Sequence, residues 1–236
     1  MIKAVLFDMD GTLVPMDQNK FVRAYFKGLS GKLAPYGYEP KALVDAVWKG
    51  TDAMVRNDGN RSNSDVFWDS MCGIYGEKAR DDVPFFDEFY RTEFCGLKSE
   101  VGYNEKAAAT VMRIVGGGKA VVLASNPVFP RIAQTTRVGW AGIDSGVFSH
   151  ITSYENSHYC KPNPKYYEEI ASVLGVEPSD CLMVGNDARE DVAAAKAGMK
   201  VFLLTDCLIN VDGVDIADIP HGDYDALNAY LDGEGL

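Results

Sequence analysis

Four short apolar runs recur along the chain, at residues 3–7 (KAVLF), 119–124 (KAVVLA), 180–184 (DCLMV) and 200–204 (KVFLL). Continuous apolar runs of this length read as strands buried on both faces. Helical patterns lie beside them. Residues 105–115 precede the second run, and Gly116 to Gly118 end that helix. Residues 130–138 follow the same run. Residues 164–174 open on Pro164, a favoured first helical residue, and stop before Gly175. Residues 187–197 lead through Gly198 into the last run. Strands alternating with helices at this spacing predict an α/β fold, a doubly wound parallel sheet with helices on both faces.

Residues 16–100 depart from that alternation and contain little that reads as strand. Apolar residues at helical spacing predict helices over 18–33, 40–56, 64–75 and 84–94, with Pro40 and Pro84 near helix starts. Phe21, Tyr25, Phe26 and Leu29 make one face, and Val44, Val47, Trp48, Met54 and Val55 contribute to another. Trp48, Phe67, Trp68, Phe85, Phe86, Phe89 and Tyr90 read as packing. The expected organisation is a core formed by 1–15 and 101–236, with a small helical domain, 16–100, inserted after the first strand.

The charge balance limits the partners. With 34 acidic and 23 basic residues the net charge is −11, which repels nucleic acid and anionic membranes. An anionic substrate would need local positive charge from a metal, a lysine or backbone N–H groups. Five cysteines at long spacings, with no C-x-x-C pair, argue against a disulfide framework and fit a reduced, cytoplasmic setting. His158 and Cys160 are close in sequence, but no second pair completes a zinc site. The amino terminus, MIKAVLFDMDG, reads as neither a secretory signal nor an anchor.

The chemistry-bearing residues stand at the ends of the strands. The first run delivers Asp8-Met9-Asp10-Gly11-Thr12 to its carboxyl end, where open α/β sheets bind ligands. Two neighbouring carboxylates need a cation or a shared proton, and with both available one can attack while the other moves a proton. Alone, the pair also reads as a solvated surface turn. Ser125, with Asn126 behind it, ends the second strand and offers a hydroxyl and N–H groups to a phosphate. Lys161 sits in CKPNP, where Pro162 and Pro164 stiffen the chain. Asp187 begins a helix after Gly185, as metal ligand or as cap. Asp191, one turn on, would ligate through water or orient Lys161.

In this order the residues resemble the haloacid dehalogenase (HAD) superfamily: DMDGT at 8–12, Ser125 after an apolar strand, Lys161 before a proline, and GNDAREDV at 185–192. The insert resembles that family's helical type C1 cap. The resemblance implies a Rossmann-like core and a phosphatase acting on a small phosphorylated metabolite. Asp8 would be the nucleophile that becomes an aspartyl phosphate, and Asp10 the acid and base. Thr12 would hold the loop or contact phosphate, and Ser125, Asn126 and Lys161 would bind phosphoryl oxygens. Mg2+ would be held by the Asp8 carboxylate, the Asp10 carbonyl and Asp187. Charge counting supports a divalent ion independently, because Lys161 alone cannot offset four aspartates and a phosphate monoester. Asp10 favours phosphoryl transfer, since dehalogenases of the superfamily lack an aspartate there. A phosphomutase shares these residues, and a non-catalytic binding or regulatory protein is the alternative outside catalysis. Arg56, Asn57, Asn60 and Arg61 form the one candidate polar cluster of the insert.

Overall fold

The computed structural model describes residues 1–236. Six strands form one sheet: β1 (Ala4–Phe7), β2 (Ala120–Leu123), β3 (His150–Ile151), β4 (Cys181–Gly185), β5 (Lys200–Leu204) and β6 (His221–Gly222). Their order is β3-β2-β1-β4-β5-β6, and every pair is parallel. The chain starts in the middle and winds out to both edges. The doubly wound α/β class expected from the sequence is the observed one.

Alternation along β1 explains why the sheet is covered on both sides. Val5 and Phe7 enter one apolar cluster, and Ala4 and Leu6 enter the other. Each of Val5, Leu6 and Phe7 is fully buried, contributing about 2 kcal/mol apiece by area. Helices α6 (Glu105–Gly116), α7 (Arg131–Trp140) and α9 (Tyr224–Gly233) cover the first face, and α8 (Pro164–Leu174) covers the second. The four central strands were legible. The two-residue edge strands β3 and β6 were not, because so short a segment has no period to read. Helix α9, started by the Asp223 cap on Ala226 N, was also missed.

Between β1 and β2 the chain forms α1 (Gln18–Leu33), α2 (Pro40–Val55), α3 (Asn63–Tyr75), α4 (Lys78–Asp81) and α5 (Val83–Arg91). The side chains of Asp17, Glu39 and Ser62 accept backbone N–H groups at the starts of α1, α2 and α3. The predicted helix 84–94 ends earlier, at Arg91, and continues as 3₁₀ turns over Glu93–Glu100. Met16 and Val101 form an antiparallel bridge, and Gly102 N donates to Pro15 O at 2.7 Å. The helical stretch therefore leaves and re-enters the sheet at one point. Phe21, Phe94 and Trp140 join it to α7 through ring contacts of 5.3–6.3 Å. No helix is long and apolar enough to cross a membrane.

Candidate active site

Asp8 follows β1 directly, and its N–H still donates to Val184 O at 2.9 Å. The ladder thus carries it to the carboxyl end of the sheet between β1 and β4. Its Oδ1 accepts from Lys161 Nζ at 2.8 Å, while Oδ2 has no protein donor. The side chain is 13% exposed. Burial pushes its carboxyl up to about 7, with the Lys161 ammonium opposing and Asp191 and Asp10 reinforcing the shift.

Lys161 has no exposed side-chain surface and also donates to Asp191 Oδ1 at 2.6 Å. Burial acts to lower its pKa, but Asp191 and Asp8 together raise it well above the ordinary lysine value. Asp191 is completely buried. Its Oδ2 accepts the backbone N–H groups of Asn186 and Asp187, each at 2.9 Å. Of the two roles foreseen for Asp191, the geometry is that of a group orienting Lys161. A Cβ on Gly185 would stand 2.0 Å from that same oxygen, so only glycine lets Asp191 reach under the loop.

Asp187 accepts from Arg189 N and Glu190 N through Oδ1, both at 2.8 Å. It closes the turn over 187–190, and Oδ2 stays without a protein partner. These side-chain acceptors wind residues 186–190 tightly, which is why the helix predicted over 187–197 forms instead as 3₁₀ turns over Asp191–Ala197.

Ser125 is buried, and its carbonyl is pinned by Thr152 Oγ1 at 2.7 Å and Tyr166 Oη at 2.8 Å. Its own hydroxyl donates to no protein group. The Asn126 side chain is held within the loop: its Nδ2 donates to Glu190 Oε1 at 3.1 Å and Oδ1 is an unpartnered acceptor, which leaves the second amide hydrogen and the main-chain N–H for a phosphate. The buried Thr12 hydroxyl donates to Asn186 Oδ1 at 2.9 Å and ties two loops together, the geometry of the loop-holding one of its two foreseen roles. Arg56 and Arg61 are paired with Asp52 and Asp69 within the insert, and Asn57 bonds Arg61 O and Asn63 Oδ1.

Asp10 holds a partner that the sequence reading missed. Both of its carboxylate oxygens accept from Arg137 Nη1, at 2.8 and 2.6 Å. Arg137 projects from α7, is completely buried, bonds Gln134 Oε1 at 2.5 Å, and lies 4.6 Å from the Phe129 ring centroid. Its one available signal was an arginine on the apolar face of a predicted helix. Glu190 was also passed over. It faces Asn126, and burial pushes its carboxyl up to about 8, with Lys161 opposing.

No three carboxylate, histidine or cysteine side chains converge closely enough to enclose an ion by themselves. The donors left over are one oxygen each on Asp8 and Asp187, with main-chain carbonyl oxygen between them in sequence. An oxygen-only set with few carboxylates, completed by water, suits a small hard cation such as Mg2+. The acids here (Asp8, Asp10, Asp187, Glu190, Asp191) outnumber Lys161 and Arg137, which fits a further positive charge.

The family model of haloacid dehalogenase-like hydrolases matches residues 2–198. The chain is 27% identical over 199 residues to a phosphoglycolate phosphatase of Neisseria meningitidis, covering 83% of this chain and 77% of that one. It is 26% identical over 239 residues to a phosphatase of Mycobacterium tuberculosis, covering 99% of each. Among solved structures, the 2-haloacid dehalogenase of Pseudomonas syringae superposes with a TM-score of 0.60 at 20% identity, covering 98% of this chain and all of that one; at this identity it speaks for the fold alone. With the family model spanning most of the chain and its strand-end residues gathered at one place, the chain belongs to the haloacid dehalogenase-like hydrolases.

Proposed function

We propose that the chain is a Mg2+-dependent phosphatase that hydrolyses a small phosphate monoester through an aspartyl phosphate on Asp8. The observation that carries this reading is the Asp8–Lys161 contact of 2.8 Å at the carboxyl end of the sheet, with one Asp8 oxygen free. A nucleophile and a phosphate-binding cation are adjacent there. The phosphatases among the curated relatives support the same reading.

Asp8 attacks phosphorus in line through one carboxylate oxygen, the other being left to the cation, and the P–O bond to the alcohol breaks. Asp10 gives its proton to the departing oxygen. The Lys161 ammonium, the Ser125 hydroxyl and the Asn126 N–H hold the phosphoryl oxygens while charge shifts among them. Asp10, now a carboxylate, takes a proton from water, which attacks the acyl phosphate and frees Asp8. Arg137 holds the Asp10 carboxyl in one orientation for both proton transfers. Asp8, the Asp10 carbonyl and Asp187 would hold Mg2+, which would supply charge that offsets the phosphoryl group. Residues 16–100 serve as the cap over this site.

The test is phosphate release from 4-nitrophenyl phosphate and acetyl phosphate with Mg2+ and with EDTA, beside Asp8→Asn. Turnover that requires Mg2+ and Asp8, with a phosphoryl adduct on the Asp8 peptide, is expected. Turnover that survives in Asp8→Asn would refute the mechanism.

A further inference from the structure

Between the insert and the sheet lies a cavity of about 130 Å³. All but one of its lining residues are hydrophobic, and aromatic rings dominate, among them Tyr25, Phe67, Trp68, Tyr90 and Phe129. The exception, Thr51, turns its hydroxyl to Val47 O at 2.9 Å. The Tyr25 and Tyr90 hydroxyls bond one another at 2.8 Å. No charged side chain lines the wall, and its remaining polar side-chain atoms are hydroxyls and indole N–H groups at the edges of aromatic rings.

The cavity's lining contains none of the reacting groups and is linked to them through shared elements. Its wall residue Phe129 lies four residues after Ser125, and its ring covers the Arg137 guanidinium that holds Asp10. Two helices run from the site to the cavity. On α1, Gln18 and Asn19 share a recess with Asp10, and Val22 and Tyr25, the next turns, line the cavity. On α2, Val55 borders the crevice of Lys161 and Asp187, and Thr51, one turn back, lines the cavity. Trp48, half exposed at 51%, stands at the rim. Natural cores leave few voids larger than water. A void of this size, linked to Asp10 through Phe129 and Arg137, is room for the part of the substrate that departs.

We propose that this cavity receives the leaving group, and that the substrate class is a phosphate monoester of an uncharged, apolar alcohol about one ring in size, an aryl phosphate. The assignment rests on the phosphatase reading above. Size supports it, since an apolar cavity of roughly 150 Å³ accepts benzene. Charge supports it too. No cation lines the cavity; Arg137, behind the wall residue Phe129, gives its Nη groups to Asp10 and Gln134 and keeps only Nε without a partner. A carboxylate or second phosphate on the leaving group would enter an apolar space with no counter-ion.

The experiment uses the full chain with Mg2+ and compares kcat/KM for phenyl phosphate, 2-phosphoglycolate and pyrophosphate. Phenyl phosphate is expected to lead by about tenfold or more, the scale a hydrophobic pocket gives. Thr51→Phe, which fills the cavity, is expected to lower the ratio of phenyl phosphate to acetyl phosphate turnover by about tenfold. Trp48→Ala, at the exposed rim, is the second variant and is expected to raise KM for phenyl phosphate. Phenol titrated into the metal-free protein is expected to change the fluorescence of Trp48 and Trp68 saturably, and less so in Thr51→Phe. Phosphatase activity that favours phosphoglycolate or pyrophosphate, or phenol binding indifferent to Thr51→Phe, overturns the cavity assignment. No turnover of any ester, with saturable phenol binding retained, overturns the phosphatase reading and leaves the cavity's ligand chemistry standing.

Discussion

The Arg137 guanidinium grips both oxygens of Asp10, at 2.6 and 2.8 Å, from a helix laid down well over a hundred residues later. A bond of this kind fixes direction more than it adds stability, because burying a charged pair costs nearly what the pairing returns. Arg137→Ala is expected to lower kcat by about 10- to 100-fold, as misplacement of a catalytic group does, with a smaller change in KM. Arg137→Lys is expected to restore only part of it, since an ammonium cannot reproduce the guanidinium's fixed geometry. Steady-state kinetics on both variants, with Asp10→Asn as the reference, checks this. If Arg137→Ala costs as much in the Asp10→Asn background as alone, Arg137 does not work through Asp10.

Gly185→Ala tests the loop beneath the site. The added methyl would overlap Asp191 Oδ2, which receives two backbone N–H groups. Displacing that carboxylate also strips Lys161 of one of its two partners. The expected loss is about 2–3 kcal/mol in urea unfolding, together with loss of turnover. Gly175→Ala is the control for replacing a glycine, since it stands in open space at a helix end; its left-handed φ adds strain of about 1 kcal/mol.

Stability of the metal-free protein should depend on pH with a definite sign. Asp8 is held up at about 7 and Glu190 at about 8, both by burial, above the ordinary carboxyl range. The folded state therefore keeps protons that the unfolded chain has already released. Their contribution to stability is fully present below pH 4 and is lost as pH rises toward 8. Melting temperature in EDTA is expected to fall between pH 5 and pH 8 from these groups, and Mg2+ to raise it more at pH 8, where its ligands are ionised. A metal-free melting temperature that climbs across this window would contradict the assignment.

Thr12→Val removes the hydroxyl that Asn186 accepts and leaves a buried amide oxygen unpaired. The expected cost is about 1–3 kcal/mol. Asn186 keeps its bond to Cys207 O at 2.8 Å, so turnover should fall less than in Gly185→Ala. Urea titration with parallel kinetics separates the two effects.

Much of this was readable in the chain because the sheet's central strands are continuous apolar runs and the catalytic acids follow them at once. Asp8, Lys161 and Asp191 lie next to strand ends or prolines, where spacing alone suggests proximity. Arg137 was illegible for the opposite reason. It sits in the middle of an ordinary amphipathic helix, and only the fold brings it to Asp10. Asn126 and Thr12 had suitable functional groups, but which partner each chose depended on Glu190 and Asn186, residues on another loop. The insert's helices followed from periodicity, whereas the empty volume among their rings depended on how they pack.

The bridge between Met16 and Val101 has a consequence for how such a chain changes over generations. The chain between those two residues leaves and rejoins the sheet at one place, and its remaining ties to the core are contacts such as Ser64 N to Tyr154 O and Phe21 to Trp140. Substitutions on the inner walls of α1 and α2 can redraw the shape and polarity of the chamber while the register from β1 to β4 stays as it is. Under the proposed function, most of the chamber's wall would then change without touching the strand ends, because only Val128, Phe129 and Tyr154 of its lining lie outside the insert.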